Sequence, residues 1–315
     1  MSVLCVVQAR MGSTRLPGKV LTELGGRPLL RFMLDRLAGL DVDELVVATS
    51  DTSADDAVAA VAANLGVRVV RGSEHDVLAR FALALAEHPA DVVVRLTADC
   101  PLSDPKIVEA AIALLLDRGA DYASNSLVRT FPDGLDVEVF TADALRAADR
   151  EAIDPVEREH VTPFVYRRTT RFRLAALRDG ALLGDERWTI DRPEDLARVR
   201  DIVARLDDPI TAGWRDVLAV AGRAYATAPG AVHLRPAVED DAASSRRSVP
   251  LDDPSTRTWV AGVDGHDVGW AELVVVDGHG RLTIETDESR RAEVESCVRV
   301  ALQADQQVTD LVVVP

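Results

Sequence analysis

The segment Gln8-Ala9-Arg10-Met11-Gly12-Ser13-Thr14-Arg15-Leu16-Pro17-Gly18-Lys19 concentrates groups able to hold an anion: two glycines, two small hydroxyls, two arginines and a lysine. Glycine lets the backbone turn tightly enough for several N–H groups to face one anion, and arginine and lysine add charge-assisted contacts to phosphate oxygens. The spacing is not that of a kinase-type P-loop. Five residues separate Gly12 from Gly18 instead of four, and Val20 stands where a magnesium-binding Ser or Thr belongs. A second group is acidic. Asp99 follows the apolar run at 92–96, and Asp191 follows Trp188-Thr189-Ile190. Two carboxylates from separate strand ends beside a phosphate loop suit Mg²⁺, which takes oxygen ligands and keeps several waters. Asp191 also reads as the N-cap of a helix opening at Pro193. In Asp133-Gly134-Leu135-Asp136-Val137-Glu138 acidic and apolar positions alternate, so Asp136 and Glu138 share one strand face. That face is either a solvated edge or one that orients a polyhydroxylated substrate. Arg71-Gly72-Ser73-Glu74-His75-Asp76 reads as a polar wall with Ser73 as a helix cap, and Glu159-His160 as a helix cap or a substrate contact. His75 and His88 read as surface residues.

These groups need a scaffold. The apolar run at 3–7 reads as a buried strand emptying into the basic loop, the place where an open α/β sheet puts a nucleotide. Further strands are expected at 45–48, 67–70 and 92–96. Between them come a helix opening at Arg27-Pro28, one from Ser50-Asp51-Thr52-Ser53 to about Leu65 with Gly66 as C-cap, and one from Asp76 to about Glu87. A helix from Pro105 to Arg118 follows, with Asp104 as its cap. Such alternation predicts a parallel sheet covered by helices. The rhythm then changes: strands at 122–126, 135–140, 171–177 and a short strand end at 188–191, with helices at about 142–150, 193–206 and 214–225. This insert reads as the part that shapes a second substrate site or a dimer contact. Residues 226–232 read as a linker, and 233–315 as a smaller unit. Its strands are expected at 258–263, 267–276, 281–285 and 309–314, with a helix at about 289–302 and hairpin turns at Asp264-Gly265 and Asp277-Gly278.

A chain of 315 residues exceeds the usual single domain. The net charge of −16 argues against nucleic acid or an anionic membrane as partner, so an anionic nucleotide must find its positive charge locally. Cys5, Cys100 and Cys297 are far apart and odd in number, neither a disulfide framework nor a zinc cluster. With no signal-peptide pattern at Met1 and no apolar run of membrane-spanning length, the expected location is cytoplasmic.

Taken together, these segments resemble the SpsF-type cytidylyltransferases, a family similar to the CMP-Kdo synthetases and acylneuraminate cytidylyltransferases. The matching pieces are the 8–19 loop, Arg71-Gly72-Ser73, Asp76-Val77-Leu78, Arg95-Leu96-Thr97-Ala98-Asp99-Cys100-Pro101-Leu102, Pro132-Asp133-Gly134-Leu135-Asp136-Val137-Glu138, Arg158-Glu159-His160-Val161-Thr162-Pro163 and Asp191-Arg192-Pro193-Glu194-Asp195. They occur in family order over about the first two-thirds of the chain. The resemblance implies a nucleotide-diphosphosugar-transferase-like fold, a Rossmann-like and GT-A-like three-layer α/β sandwich spanning 1–225. It also implies Mg²⁺-dependent nucleotidyl transfer from CTP to an acidic sugar or similar anionic metabolite, for polysaccharide or secondary-metabolite synthesis. By family position Ala9, Arg10, Gly12, Ser13, Arg15 and Lys19 hold the triphosphate, and Gly72, Ser73 and Arg80 meet base and ribose. Asp99 and Asp191 hold the metal, Asp133, Asp136, Glu138 and His160 face the acceptor, and Arg10, Arg15, Lys19, Asp99 and Asp191 form the catalytic group. A homodimer through the insert is implied as well. Two alternatives stay open at this point: a sugar-nucleotide-dependent glycosyltransferase of the same fold, and a non-catalytic nucleotide-binding scaffold.

The C-terminal unit resembles a shortened GNAT-type acetyltransferase, through Leu234-Arg235-Pro236-Ala237, Gly269-Trp270 and Leu282-Thr283-Ile284. Arg290-Arg291-Ala292-Glu293-Val294-Glu295 has no glycine to let backbone amides approach a pyrophosphate, so a catalytically silent interaction domain is expected.

Overall fold

The computed structural model describes residues 1–221 except Thr14, 180–182 and Asp185. Beyond these it describes 233–236, 256–263, 266–276, 279–286 and 310–314, with Arg291 and Val294. The chain divides into two compact units, one of Met1–Arg178 with Leu183–Gly222, the other of Asp179–Leu182 with Arg223–Pro315.

The first unit starts with β1 (Val3–Gln8), whose first five residues are all buried. Leu4 and Val6 share a core with Phe81 and Leu145. Cys5 and Val7 point to the opposite face and are equally buried, which is why the strand reads as a continuous apolar run and not an alternating one. A small hairpin, β2 (Glu23–Leu24) with β3 (Arg27–Pro28), precedes α1 (Leu29–Arg36). Pairing with β2 keeps Pro28 extended at ψ 140°, so the helix expected from Arg27 begins at Leu29. The alternation then runs β4 (Glu44–Ser50), α2 (Asp56–Asn64), β5 (Arg68–Gly72), α3 (Val77–Glu87), β6 (Val92–Thr97) and α4 (Pro105–Asp117). Gly66, just past α2, sits at φ 74°, the left-handed conformation that ends a helix. Asp104 caps α4 by accepting from the Lys106 N–H at 2.8 Å. Asp76 caps α3, accepting from the Ala79 N–H at 2.9 Å, and Ser73 does not; its Oγ accepts from the Asp76 N–H at 3.2 Å.

The sheet order is β5-β4-β1-β6-β8-β7-β9, with β7 (Tyr122–Ser124), β8 (Glu138–Thr141) and β9 (Leu174–Ala176). Strands β5, β4, β1 and β6 are parallel, whereas β8 is antiparallel to both β6 and β7, so the sheet is mixed. The Rossmann-like α/β sandwich is the one expected. From β1 the chain steps outward to β4 and β5, then returns to the other side of β1 for β6. That reversal opens a crevice at the carboxyl ends of β1 and β6, where doubly wound sheets bind ligands. The basic loop leaves β1 there, and Asp99 follows β6.

Two expected strands have other backbone partners. Residues 135–137 lie before β8 because Asn125 replaces a neighbouring strand. Its Nδ2 donates to the Leu135 carbonyl at 2.8 Å and its Oδ1 accepts from the Val137 N–H at 2.9 Å. Residues 188–190 are irregular. The Trp188 and Thr189 N–H groups donate to the Asp133 carbonyl at 2.6 and 3.2 Å, and that of Ile190 to the Asp99 carbonyl at 2.8 Å. The remaining helices are α5 (Ala142–Glu151), α6 (Pro155–His160), α7 (Pro163–Tyr166), α8 (Pro193–Arg205) and α9 (Trp214–Val220). The end of the helix expected to 225 and the linker expected at 226–232 lie outside the described residues.

The second unit holds a five-stranded sheet in chain order, β10 (His233–Pro236), β11 (Thr256–Val263), β12 (His266–Val276), β13 (His279–Thr286) and β14 (Asp310–Val314). Its pairs are antiparallel except β13 with β14. Val263 pairs with His266 and Val276 with His279, at the two expected hairpins. The helix expected at 289–302 lies outside the described residues apart from Arg291 and Val294.

Candidate active site

Met11 knots the basic loop. Its carbonyl accepts from the N–H groups of Ser13 at 2.8 Å and Gly18 at 3.1 Å, and its own N–H donates to Asp55 Oδ1 at 2.6 Å. Gly18, at φ 71°, turns the chain into a short 3₁₀ segment, Lys19–Leu21; a side chain at that φ would be strained. Ser13 Oγ accepts from the Leu16 N–H at 3.3 Å, and Gly12 is exposed. Ala9 is engaged by the sheet, its N–H donating to the Ala48 carbonyl at 3.1 Å.

The loop then sends Lys19 inward. Its Nζ donates to Asp99 Oδ2 at 2.9 Å, Asp191 Oδ1 at 3.0 Å and the Ile190 carbonyl at 2.7 Å. Burial alone would lower the Lys19 pKa; the charges and hydrogen bonds of the two aspartates outweigh it and raise it. Asp191 is held below the usual carboxylate range against the opposing effect of burial, by Lys19, then Arg15 and Arg187. Arg15 Nη2 lies 3.3 Å, and Arg187 Nη2 2.8 Å, from Asp191 Oδ2. Two carboxylates from distant parts of the chain thus converge on one cation, the Lys19 ammonium. Asp99 Oδ1 accepts only a long hydrogen bond from the Cys100 thiol, at 3.7 Å.

Beside this cluster lies a cavity of about 670 Å³, lined by Asp99 and Asp191 and by Asp133, Asp136, Glu138 and His160. Its charges are paired. Arg95 bonds Glu138, whose carboxylate also accepts from the Tyr122 hydroxyl at 2.7 Å and from Thr162 Oγ1. Arg129 grips Asp136 in two hydrogen bonds of 2.8 and 3.1 Å, and Arg187 bonds Asp133. Burial raises the Asp136 pKa; Arg129 opposes this, and the charges of Asp133 and Glu138 add to it. Gly134 makes the wall possible. At φ 112°, its would-be Cβ lies 2.4 Å from the Thr189 backbone nitrogen, so only glycine lets segments 133–135 and 188–189 touch.

Gly72, Ser73 and Arg80 do not line this cavity. They form a second cluster with Arg10. Arg10 Nη1 donates to the Glu74 carbonyl at 3.3 Å and Arg80 Nη1 to the same carbonyl at 3.1 Å, while Arg80 Nη1 also bonds the Ser73 carbonyl. Arg80 is fully buried, yet its Nε and Nη2 have no hydrogen-bond partner. Burial, then the like charge of Arg10, lowers its pKa. A Cβ at Gly72 would press on Arg80 Cγ at 3.2 Å.

Sequence reasoning misses Arg95, Arg129, Arg187, Thr162 and Tyr122, which complete the cavity, and Asp55 beneath the loop. The spacings Arg187-x-x-x-Asp191 and Arg129-x-x-x-Asp133 are signals that could have found partners; the other pairs meet across strand register and long loops.

A family model described as cytidylyltransferase matches residues 4–204. An uncharacterised protein of Methanocaldococcus jannaschii is 38% identical over 210 residues, 66% of this chain and 85% of that protein. The spore coat polysaccharide biosynthesis protein SpsF of Bacillus subtilis is 36% identical over 206 residues, 63% of this chain and 85% of its own. Among solved structures, a cytidylyltransferase from Leptospira borgpetersenii is 35% identical with a TM-score of 0.68, covering 70% of this chain and 94% of that one. A CMP:2-keto-3-deoxy-manno-octonic acid synthetase complexed with CTP has 19% identity and a TM-score of 0.50 over 65% of this chain and 99% of its own, which shows a shared fold.

Proposed function

The chain belongs to the cytidylyltransferase family, and on that premise we propose that this nucleotidyltransferase activates an anionic, sugar-like acceptor with CTP, Mg²⁺ being held by Asp99 and Asp191. The observation that carries the reading is the convergence of Lys19 with both aspartates at the edge of the cavity. An acceptor oxygen forms a bond to the α-phosphorus as the bond to the β-phosphate bridging oxygen breaks, and pyrophosphate leaves. Positioning and charge stabilisation dominate such a transfer. An anionic acceptor oxygen needs no strong general base.

Arg10, Gly12, Ser13 and Arg15 receive the triphosphate, with Arg15 exposed enough to move from Asp191 to a phosphate. Lys19 keeps the two carboxylates together. When bound, Mg²⁺ would neutralise charge on the phosphate oxygens. Gly72, Ser73 and Arg80 meet the base and ribose, Arg80 from beneath: it is fully buried and acts through the Ser73 and Glu74 carbonyls that it holds. Asp133, Asp136, Glu138 and His160 face the acceptor. The names of the relatives, spore coat polysaccharide biosynthesis and an octonic acid synthetase with CTP, support a sugar acid or a related anion for polysaccharide synthesis. The reading includes a homodimer, and a C-terminal unit that is a shortened acetyltransferase-like interaction domain. Among the described residues no helix is long and apolar enough to cross a membrane.

Pyrophosphate release tests the reading, with each of the four nucleoside triphosphates, Mg²⁺ and a panel of acid sugars and phosphonates. Release is expected with CTP and at least one acceptor. CTP binding without release on any acceptor would sink the transfer, and UDP or GDP release from sugar nucleotides would point to glycosyl transfer instead.

A further inference from the structure

Asp55 has no place among the residues that the sequence marks for ligands, yet it is a buried carboxylate bonded directly to the loop backbone. It ends the short 3₁₀ turn Ser53–Asp55 between β4 and α2 and is 2% exposed. Both oxygens accept from backbone N–H groups, Oδ1 from Met11 at 2.6 Å and Oδ2 from Ser50 at 3.0 Å. Met11 is the residue whose carbonyl also gathers Ser13 and Gly18, so Asp55 ties this knot of the loop to Ser50 at the end of β4, alongside the contacts that Arg10, Arg15 and Lys19 make elsewhere.

We propose that Asp55 is a positioning residue for the nucleotide: it holds the backbone of the 10–18 loop in the shape that presents Arg10, Gly12, Ser13 and Arg15 to a triphosphate. The inference rests on the CTP reading above. A negative charge beneath a phosphate site would ordinarily repel the ligand. Here each oxygen is met by an N–H dipole, and charge-assisted hydrogen bonds of this kind are strong. Burial pushes the Asp55 carboxyl up, but its hydrogen bonds, those from Ser50 and the Met11 N–H among them, hold it below the usual range, so it stays ionised at neutral pH.

Asp55→Asn keeps the shape and removes one acceptor, because the amide NH₂ must face a backbone N–H. In titration calorimetry of the 315-residue chain with Mg²⁺, the variant should bind CTP about tenfold more weakly and CMP less than about twofold more weakly, the loss of one charge-assisted hydrogen bond falling on the terminal phosphates. Equal losses for CTP and CMP, as from general loosening of the fold, would overturn the inference. So would unchanged or tighter CTP binding, which would mean that charge repulsion outweighs positioning. A wild-type chain that binds no CTP would overturn the reading beneath it. Should the variant fail to fold, amide exchange on the free wild-type chain decides. Met11 must exchange more slowly than Gly12 and Arg15, and fast exchange at Met11 removes the anchor.

Discussion

In the N-terminal loop Arg15 faces outward, whereas in the neighbouring cavity the charged side chains face one another. Arg15 leaves 59% of its side chain exposed and meets Asp191 in a single 3.3 Å contact. Arg95 is 14% exposed and bonds a Glu138 carboxylate that is 11% exposed and also serves Tyr122 and Thr162. An exposed pair is worth about 0–1 kcal/mol, so the loop gives up little when a phosphate takes over its arginine. Breaking a buried pair by removing one partner costs about 3–5 kcal/mol. The loop is therefore built to change partners and the cavity to keep its own. An acceptor entering that cavity is recognised at the edges of pairs that remain intact.

Lys19 belongs to both regions, starting in the loop and ending between two cavity aspartates, so its removal should have the largest effect. Lys19→Met leaves Asp99 and Asp191 facing one another. Transfer from CTP should fall by at least about 100-fold, the scale of losing a preorganised charge contact, measured as pyrophosphate release with the best acceptor of the panel. Activity within a few-fold of wild type would show that the two regions do not act together. Glu138→Gln comes next and should separate them. It strands Arg95 and should cost about 3 kcal/mol in urea unfolding, with CTP affinity changed less than about twofold. Arg15→Gln should do the reverse: stability within about 0.5 kcal/mol, but CTP binding weaker by about fivefold for one lost phosphate contact. If Arg15→Gln destabilised the fold as much as Glu138→Gln, the contrast between the regions would be wrong.

The same contrast explains what the sequence showed. The loop, strands β1, β4, β5 and β6, and the cap Asp104 are local: an apolar run, a glycine or an Asp before Pro carries its own signal, whereas the α3 cap, read as Ser73, is Asp76. The two aspartates were legible because each follows an apolar segment, β6 for Asp99 and the irregular residues 188–190 for Asp191. The cavity pairs were not. Arg95 opposite Glu138 depends on antiparallel register between β6 and β8, and Arg129 with Asp136 on the path of an irregular loop. Residues 135–137 alternate like a strand, yet Asn125 supplies the bonds that a strand would; pattern fixes which side chains are buried and leaves the hydrogen-bond partner open. Gly134 is a further case. Its glycine is plain to read, but that the Thr189 backbone presses on it belongs to the three-dimensional packing.

The smallest effect, and the sharpest probe of the cavity, is the pH dependence of stability. Asp191 and Asp136 line the same cavity, with pKa values displaced in opposite directions. An aspartate in the unfolded chain titrates near about pH 3.9. Asp191 is depressed in the fold, so the stability it adds is complete above that value and is lost as pH falls through its lower folded value. Asp136 is raised, chiefly by burial, so its ionisation opposes folding; that penalty grows as pH rises from about 3.9 through its folded value and is absent below. The two windows lie on opposite sides of the unfolded value and can be separated. Urea stability measured from about pH 3 to 7 should lose part of its acid-side fall in Asp191→Asn. In Asp136→Asn the gentle decline above about pH 4 should vanish instead. If the two variants changed the same limb, the cavity carboxylates would share one environment. The pairing of Asp191 with the loop cations, against Arg129 alone for Asp136, would then not be what sets them apart.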